Sequence, residues 1–230
     1  MLEKICLLFL LFMTYSFIGW LMEVTCKLIE TKKIINRGFL IGPYCPIYGW
    51  GCLLITMLLN KYVDDPLVLF VMAIIICSIL EYVTSYLMEK LFKARWWDYS
   101  KRRFNINGRI CLETMVPFGL LALFIMYFIN PFFVSLYIKL PFSVLIILSS
   151  ILFVIFLVDN IVTFTIMFNM KISKIKIRKD NTDEITEYVR NILSKRSYLY
   201  KRLMKAYPNM KIFRDKVMSY NNDIDNINQY

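Results

Sequence analysis

The chain has 230 residues, 58% of them hydrophobic, with 28 Lys and Arg against 17 Asp and Glu, a net charge of +11 and no histidine. A water-soluble domain of this size cannot bury so much apolar side chain, and the absence of histidine excludes Ser-His-Asp catalysis, Cys-His catalysis and His-ligated zinc. Continuous rather than alternating apolar runs exclude a β-barrel.

Five apolar runs, at 5–22, 44–59, 67–88, 110–129 and 142–168, predict an all-α membrane protein with a bundle of five transmembrane helices. The first is preceded by Lys4, but it is too long for a signal-peptide core and no small-residue cleavage site follows, so it is expected to remain as a span. The second is short and interrupted by Gly42, Pro43, Pro46 and Gly49, a broken-helix segment whose freed backbone groups must face protein or a wet cavity. A tight turn with close helix packing is the plainer reading of the same residues. The fourth carries a milder interruption at Pro117 and Gly119, and the fifth is long enough to tilt or project.

Basic residues set the orientation. Lys27, Lys32, Lys33 and Arg37 lie between runs one and two, seven more Lys and Arg lie at 89–109, and fourteen follow residue 170; the other two loops hold only Lys61 and Lys139. The expected topology has the N-terminus outside and the C-terminus cytoplasmic. The charge suits the anionic inner leaflet, and no recognition motif points to nucleic acid. The division is a membrane bundle over 1–172 and a basic cytoplasmic tail over 173–230. In the tail, Asn181 and Glu184 resemble a capping box, and Ile185, Val189, Ile192, Leu199 and Leu203 recur at helical spacing up to Pro208. This amphipathic helix is expected to lie on the membrane, dock on the chain's own loops, or meet a partner subunit. The six cysteines form no C-x-x-C pair and read as small buried hydrophobes; no metal site or cofactor is expected.

Glu23, Glu81, Glu113 and Asp159 all fall in the halves of the spans nearest the basic loops. Carboxylates in hydrocarbon are costly unless paired, protonated or hydrated, so four on one side imply a shared polar interior open to the cytoplasm. Arg109 and Glu113 stand at i, i+4 and are expected to pair, and Arg37 and Arg109 are the natural counter-ions of the remaining acids. These six residues are candidates for a substrate pathway or, alternatively, structural ion pairs. Trp96, Trp97 and Tyr99 are expected to mark the membrane interface, with ligand stacking as the second reading. A faint internal repeat sets Leu21-Met22-Glu23 and Asn36-Arg37-Gly38 beside Leu87-Met88-Glu89 and Asn107-Gly108-Arg109.

Longer motifs add to this. Tyr15-Ser16-Phe17-Ile18-Gly19-Trp20 with Glu23, Asn36-Arg37-Gly38-Phe39-Leu40 running into Gly42-Pro43-Tyr44-Cys45-Pro46-Ile47-Tyr48-Gly49, Glu81-Tyr82, Trp96-Trp97-Asp98-Tyr99-Ser100 and Tyr207-Pro208-Asn209 together resemble the putative ABC-transporter type IV family, the CmpB-like permeases. The resemblance implies a multi-pass permease-type subunit in a bacterial plasma membrane, non-enzymatic itself. The chain has no G-x-x-x-x-G-K-[ST] phosphate loop, so a separate ABC ATPase would supply the energy, and five spans suggest a homo-oligomer or larger complex. An enzyme acting on a lipid-linked substrate, or a regulatory or assembly subunit, are the alternatives.

Overall fold

The computed structural model describes residues 1–92, 94–169, 198–207 and 211–212. The chain is a helical membrane protein in which four helices are long and apolar enough to cross a bilayer. They are α1 (Leu2–Thr31), α3 (Pro66–Phe92), the continuous stretch Leu112–Ile138, and α6 (Phe142–Asn169). The third of these consists of α4 (Leu112–Phe124), a π-helical segment Ile125–Ile129 and α5 (Asn130–Ile138). The π segment lies just before Pro131, whose nitrogen cannot donate a helical hydrogen bond.

The second apolar run is helical only as α2 (Pro46–Leu59). Fourteen residues rise about 21 Å, short of the ~30 Å hydrocarbon layer. The expected broken helix is therefore a short helix behind an extended entry. Pro46 takes the first turn, where a missing N–H costs nothing. Gly42 and Pro43 lie upstream in the non-helical lead-in.

The helices α1 and α2 run antiparallel, since Gly19 faces Tyr48 while Ser16 and Phe12 face Gly49. The approach is close: a Cβ on Gly49 would lie 2.3 Å from Ser16 Oγ and 2.7 Å from the Phe12 carbonyl oxygen. Leu11, Phe12, Tyr15, Leu40, Tyr44 and Leu53 form one core cluster with Ile125, and Ile55, Leu59, Leu69, Ala73, Ala122 and Met126 form a second. The buried Tyr15 hydroxyl donates to Asn130 Oδ1 at 2.6 Å, tying α1 to α5. Ile147, Ile151, Val154 and Val158 on α6 leave large apolar side chains outside, as lipid contact requires.

At one end of the bundle the segments 32–45 and 94–111 fold over the helix ends. Asn36 organises the first: its Oδ1 accepts from Trp20 Nε1 (2.8 Å) and the Gly38 amide (2.9 Å), and its Nδ2 donates to the Ile41 carbonyl. In the second, β2 (Asn105–Ile106) pairs antiparallel with β3 (Ile110–Cys111). Asn107 and Gly108 both take positive φ, 53° and 66°, in the tight turn between them. Helix α7 (Tyr198–Ala206) covers the first segment, and β4 (Lys211–Ile212) pairs with β1 (Ala94–Arg95). Of the expected tail helix, Asn181, Glu184, Ile185, Val189 and Ile192 lie outside the described residues. Leu203 is buried within α7.

Candidate functional site

A cavity of about 420 Å³ lies at this loop-covered end, walled by the last turns of α1, the start of α2, the second half of α3, Phe118 of α4, the 96–102 loop and Tyr207. Three of the six expected pathway residues line it: Glu23, Arg37 and Glu81. Glu23 Oε1 accepts from the Tyr48 hydroxyl at 2.7 Å, and its Oε2 faces Arg37 Nε at 3.3 Å. Tyr48 is held there by its packing against Gly19, where any side chain would strike the ring.

Glu81, only 7% exposed, uses Oε1 to accept from the Tyr99 hydroxyl at 3.3 Å. Burial and the neighbouring Glu81 carboxylate push the Tyr99 phenol above its ordinary range, so it remains a donor. Glu81 Oε2 is buried and, among the described residues, has no hydrogen-bond partner; the same holds for Trp96 Nε1 and Ser78 Oγ. Such groups are costly to leave unpaired, and two of the three residues, Glu81 and Trp96, line the cavity.

The other three acids and bases lie elsewhere. Arg109 does not pair with Glu113. It bonds Glu89 at 3.1 Å and Ser85 Oγ at 3.3 Å, with its guanidinium over the rings of Tyr82 and Tyr86. The i, i+4 expectation assumed a helix through both residues, but Arg109 precedes β3 and α4 begins only at Leu112. Glu113 instead meets Arg102 at 2.9 Å in an exposed pair. Asp159 is a clamp on the 36–45 segment: it accepts from the amides of Ile41 (3.0 Å) and Gly42 (2.7 Å), from Thr163 Oγ1 (2.9 Å) and from the Tyr44 hydroxyl.

Trp96 is not a lipid-facing ring. It is 3% exposed and packs edge-on against Phe39, Phe92 and Tyr207. Trp97 donates to the Arg109 carbonyl, and both it and Tyr99 are half-buried in the cavity wall. The interface expectation rested on ring composition, which does not register that the loop folds inward.

Docking on the chain's own loops is one of the placements expected of the tail, and its residues 198–207 meet the first loop through Arg202, Ala206 and Tyr207. Arg202 donates to the carbonyls of Leu40 (2.8 Å) and Phe39 (3.0 Å), Arg37 Nη1 donates to the last carbonyl of α7 at Ala206 (2.6 Å), and the Tyr207 hydroxyl donates to the Arg37 carbonyl (3.0 Å). A cation on the final carbonyls of a helix stabilises it. Arg202→Ala should loosen this cover and speed maleimide labelling of Cys45, which lines the cavity, on the order of tenfold in a single-cysteine protein. Unchanged labelling would show that the tail does not shield the site.

The sequence profile of the family described as "Putative ABC-transporter type IV" matches residues 10–164. The chain belongs to the putative ABC-transporter type IV family. The match begins within α1 and ends within α6, so it takes in every residue of the cavity wall except Tyr207. No curated protein and no solved structure matches the chain.

Proposed function

We propose that the chain is the permease-type subunit of an ATP-driven transporter in a bacterial plasma membrane, with its N-terminus outside and its C-terminus cytoplasmic. In this reading α2 is a fifth, partial membrane segment, the cavity is a substrate site open towards the cytoplasm, and a separate ATPase docks at the loop end. A second copy of the chain completes the pathway. The observation that carries the reading is the meeting of Glu23 from α1, Arg37 from the first loop and Glu81 from α3 in one cavity, at the end of the bundle where the basic loops gather. Ionisable groups facing a cavity inside a bundle are the usual mark of a translocation path.

Two exposed apolar residues support the docking part. Ile34 is 81% exposed beside Lys32 and Lys33, and Phe104 is 80% exposed beside Lys101, Arg102 and Arg103. Phe104 is also held at φ 50°, a strained conformation for a bulky residue. The test is purification in mild detergent with mass spectrometry of co-eluting proteins, followed by ATP-dependent uptake or export in vesicles. An ABC ATPase should co-purify with the wild type, and the Ile34→Asp, Phe104→Asp double variant should recover it at least tenfold less while keeping the wild-type melting temperature. A chain that purifies alone from its native membrane, with no ATP-linked flux, overturns the proposal.

A further inference from the structure

We propose that the cavity binds an organic ammonium group, held by Glu81 and a wall of aromatic rings. The inference rests on the reading of the cavity as a substrate site and adds the chemistry of what enters it.

The charges of the wall decide the sign. Arg37 is matched by Glu23 at 3.3 Å, Lys27 by Glu30 at 2.7 Å, and Arg102 by Glu113 at 2.9 Å. Asp98, the remaining acid beside them, faces Arg95 at 3.5 Å. Glu81 alone among the lining acids has no Lys or Arg within ion-pair distance among the described residues, and one of its oxygens has no partner. When ionised it leaves the site one negative charge in excess, in surroundings too dry to screen it. With Glu23 and Asp98 matched by Arg37 and Arg95, the Glu81 carboxylate is the charge that an entering anion would be repelled by.

The rings decide the kind of cation. Tyr48, Trp97, Tyr99 and Phe118 all line the cavity. Aromatic faces favour large, weakly hydrated organic cations. A hard metal ion would need several oxygen ligands, and the described residues contain no cluster of three acids, cysteines or histidines able to hold one. About 420 Å³ accommodates a small solute or a lipid headgroup.

The test is titration of tryptophan fluorescence of the purified full-length protein in detergent with choline, ethanolamine and acetate. A parallel arm uses nanodiscs of phosphatidylethanolamine or phosphatidylglycerol, with lipid retention after delipidation as readout. A saturable response to choline or ethanolamine supports a free solute; selective retention of phosphatidylethanolamine supports a headgroup. Glu81→Gln should weaken either by at least about tenfold with an unchanged melting temperature. Phe118→Leu, which removes a ring and leaves the carboxylate, should weaken it severalfold and decides the matter if Glu81→Gln does not fold. No saturable ammonium binding, equal affinity in both variants, or preference for acetate overturns the inference. The titration needs no ATPase, so binding without transport would count against the permease reading alone.

Discussion

Asp159→Ala should be among the most damaging single substitutions in the protein, lowering stability by about 3 to 5 kcal/mol. The carboxylate takes four hydrogen bonds, two of them from the backbone amides of Ile41 and Gly42. Those amides belong to a segment without regular structure that packs against α6, and both bonds are partly buried. Each orphaned buried donor costs roughly 1 to 3 kcal/mol. Asp159→Asn keeps one acceptor oxygen but turns an amide NH2, itself a donor, towards the donors, and should cost about half as much. Thermal unfolding in detergent measures both. A wild-type melting temperature for Asp159→Ala would show that the 36–45 segment is held by other contacts. Because Leu40 and Tyr44 of that segment pack into the main core cluster, its release should also loosen α1 against α2.

The second large effect is expected from a single added carbon. A Cβ at Gly49 would meet Ser16 Oγ at 2.3 Å and the Phe12 carbonyl at 2.7 Å, and a carbonyl fixed in a helix cannot swing aside. Gly49→Ala should therefore force α1 and α2 apart and cost about 1 to 3 kcal/mol, and Gly49→Val more. Gly51, two residues on, provides the control. Its Cβ would lie 3.5 Å from Leu80 Cδ2, an ordinary contact, so Gly51→Ala should be neutral or slightly stabilising through helix propensity. Equal melting temperatures for Gly49→Ala and Gly51→Ala would mean that the interface gives way without cost.

The spans were the most legible part of the sequence, because hydrocarbon imposes one rule over some twenty residues at a time. The run at 44–59 reads as short and interrupted, and its helix spans Pro46–Leu59: hydropathy marks where residues are apolar, whereas Pro46 decides where the helix begins. The site was legible in part. Glu23 and Glu81 stood out because acids are rare in apolar helices, and Arg37 because it follows the span that ends at Glu23. Asp159 accepts from Thr163, one helical turn further along α6. Its other partners include backbone amides, which no residue pattern reveals. Arg109 meets Glu89 rather than Glu113 because i, i+4 neighbours face each other only within a helix, and Arg109 lies in a turn. The contacts of Arg202 with Phe39 and Leu40 span more than 160 positions and left no local trace.

The two hairpins α1–α2 and α3–α4 each carry an ion pair at the same place. Glu23 meets Arg37 at 3.3 Å and Glu89 meets Arg109 at 3.1 Å, each acid closing a Leu-Met-Glu run and each base following in the next loop. The first pair opens onto the cavity, while the second lies outside its wall, with the Arg109 guanidinium stacked on Tyr82 and Tyr86. A scaffold that holds one fastening twice is free to spend one copy on selectivity while the other keeps the framework shut. If the cavity is the substrate site proposed above, differences among relatives should gather around Glu23 and Arg37 and leave Glu89 and Arg109 unchanged.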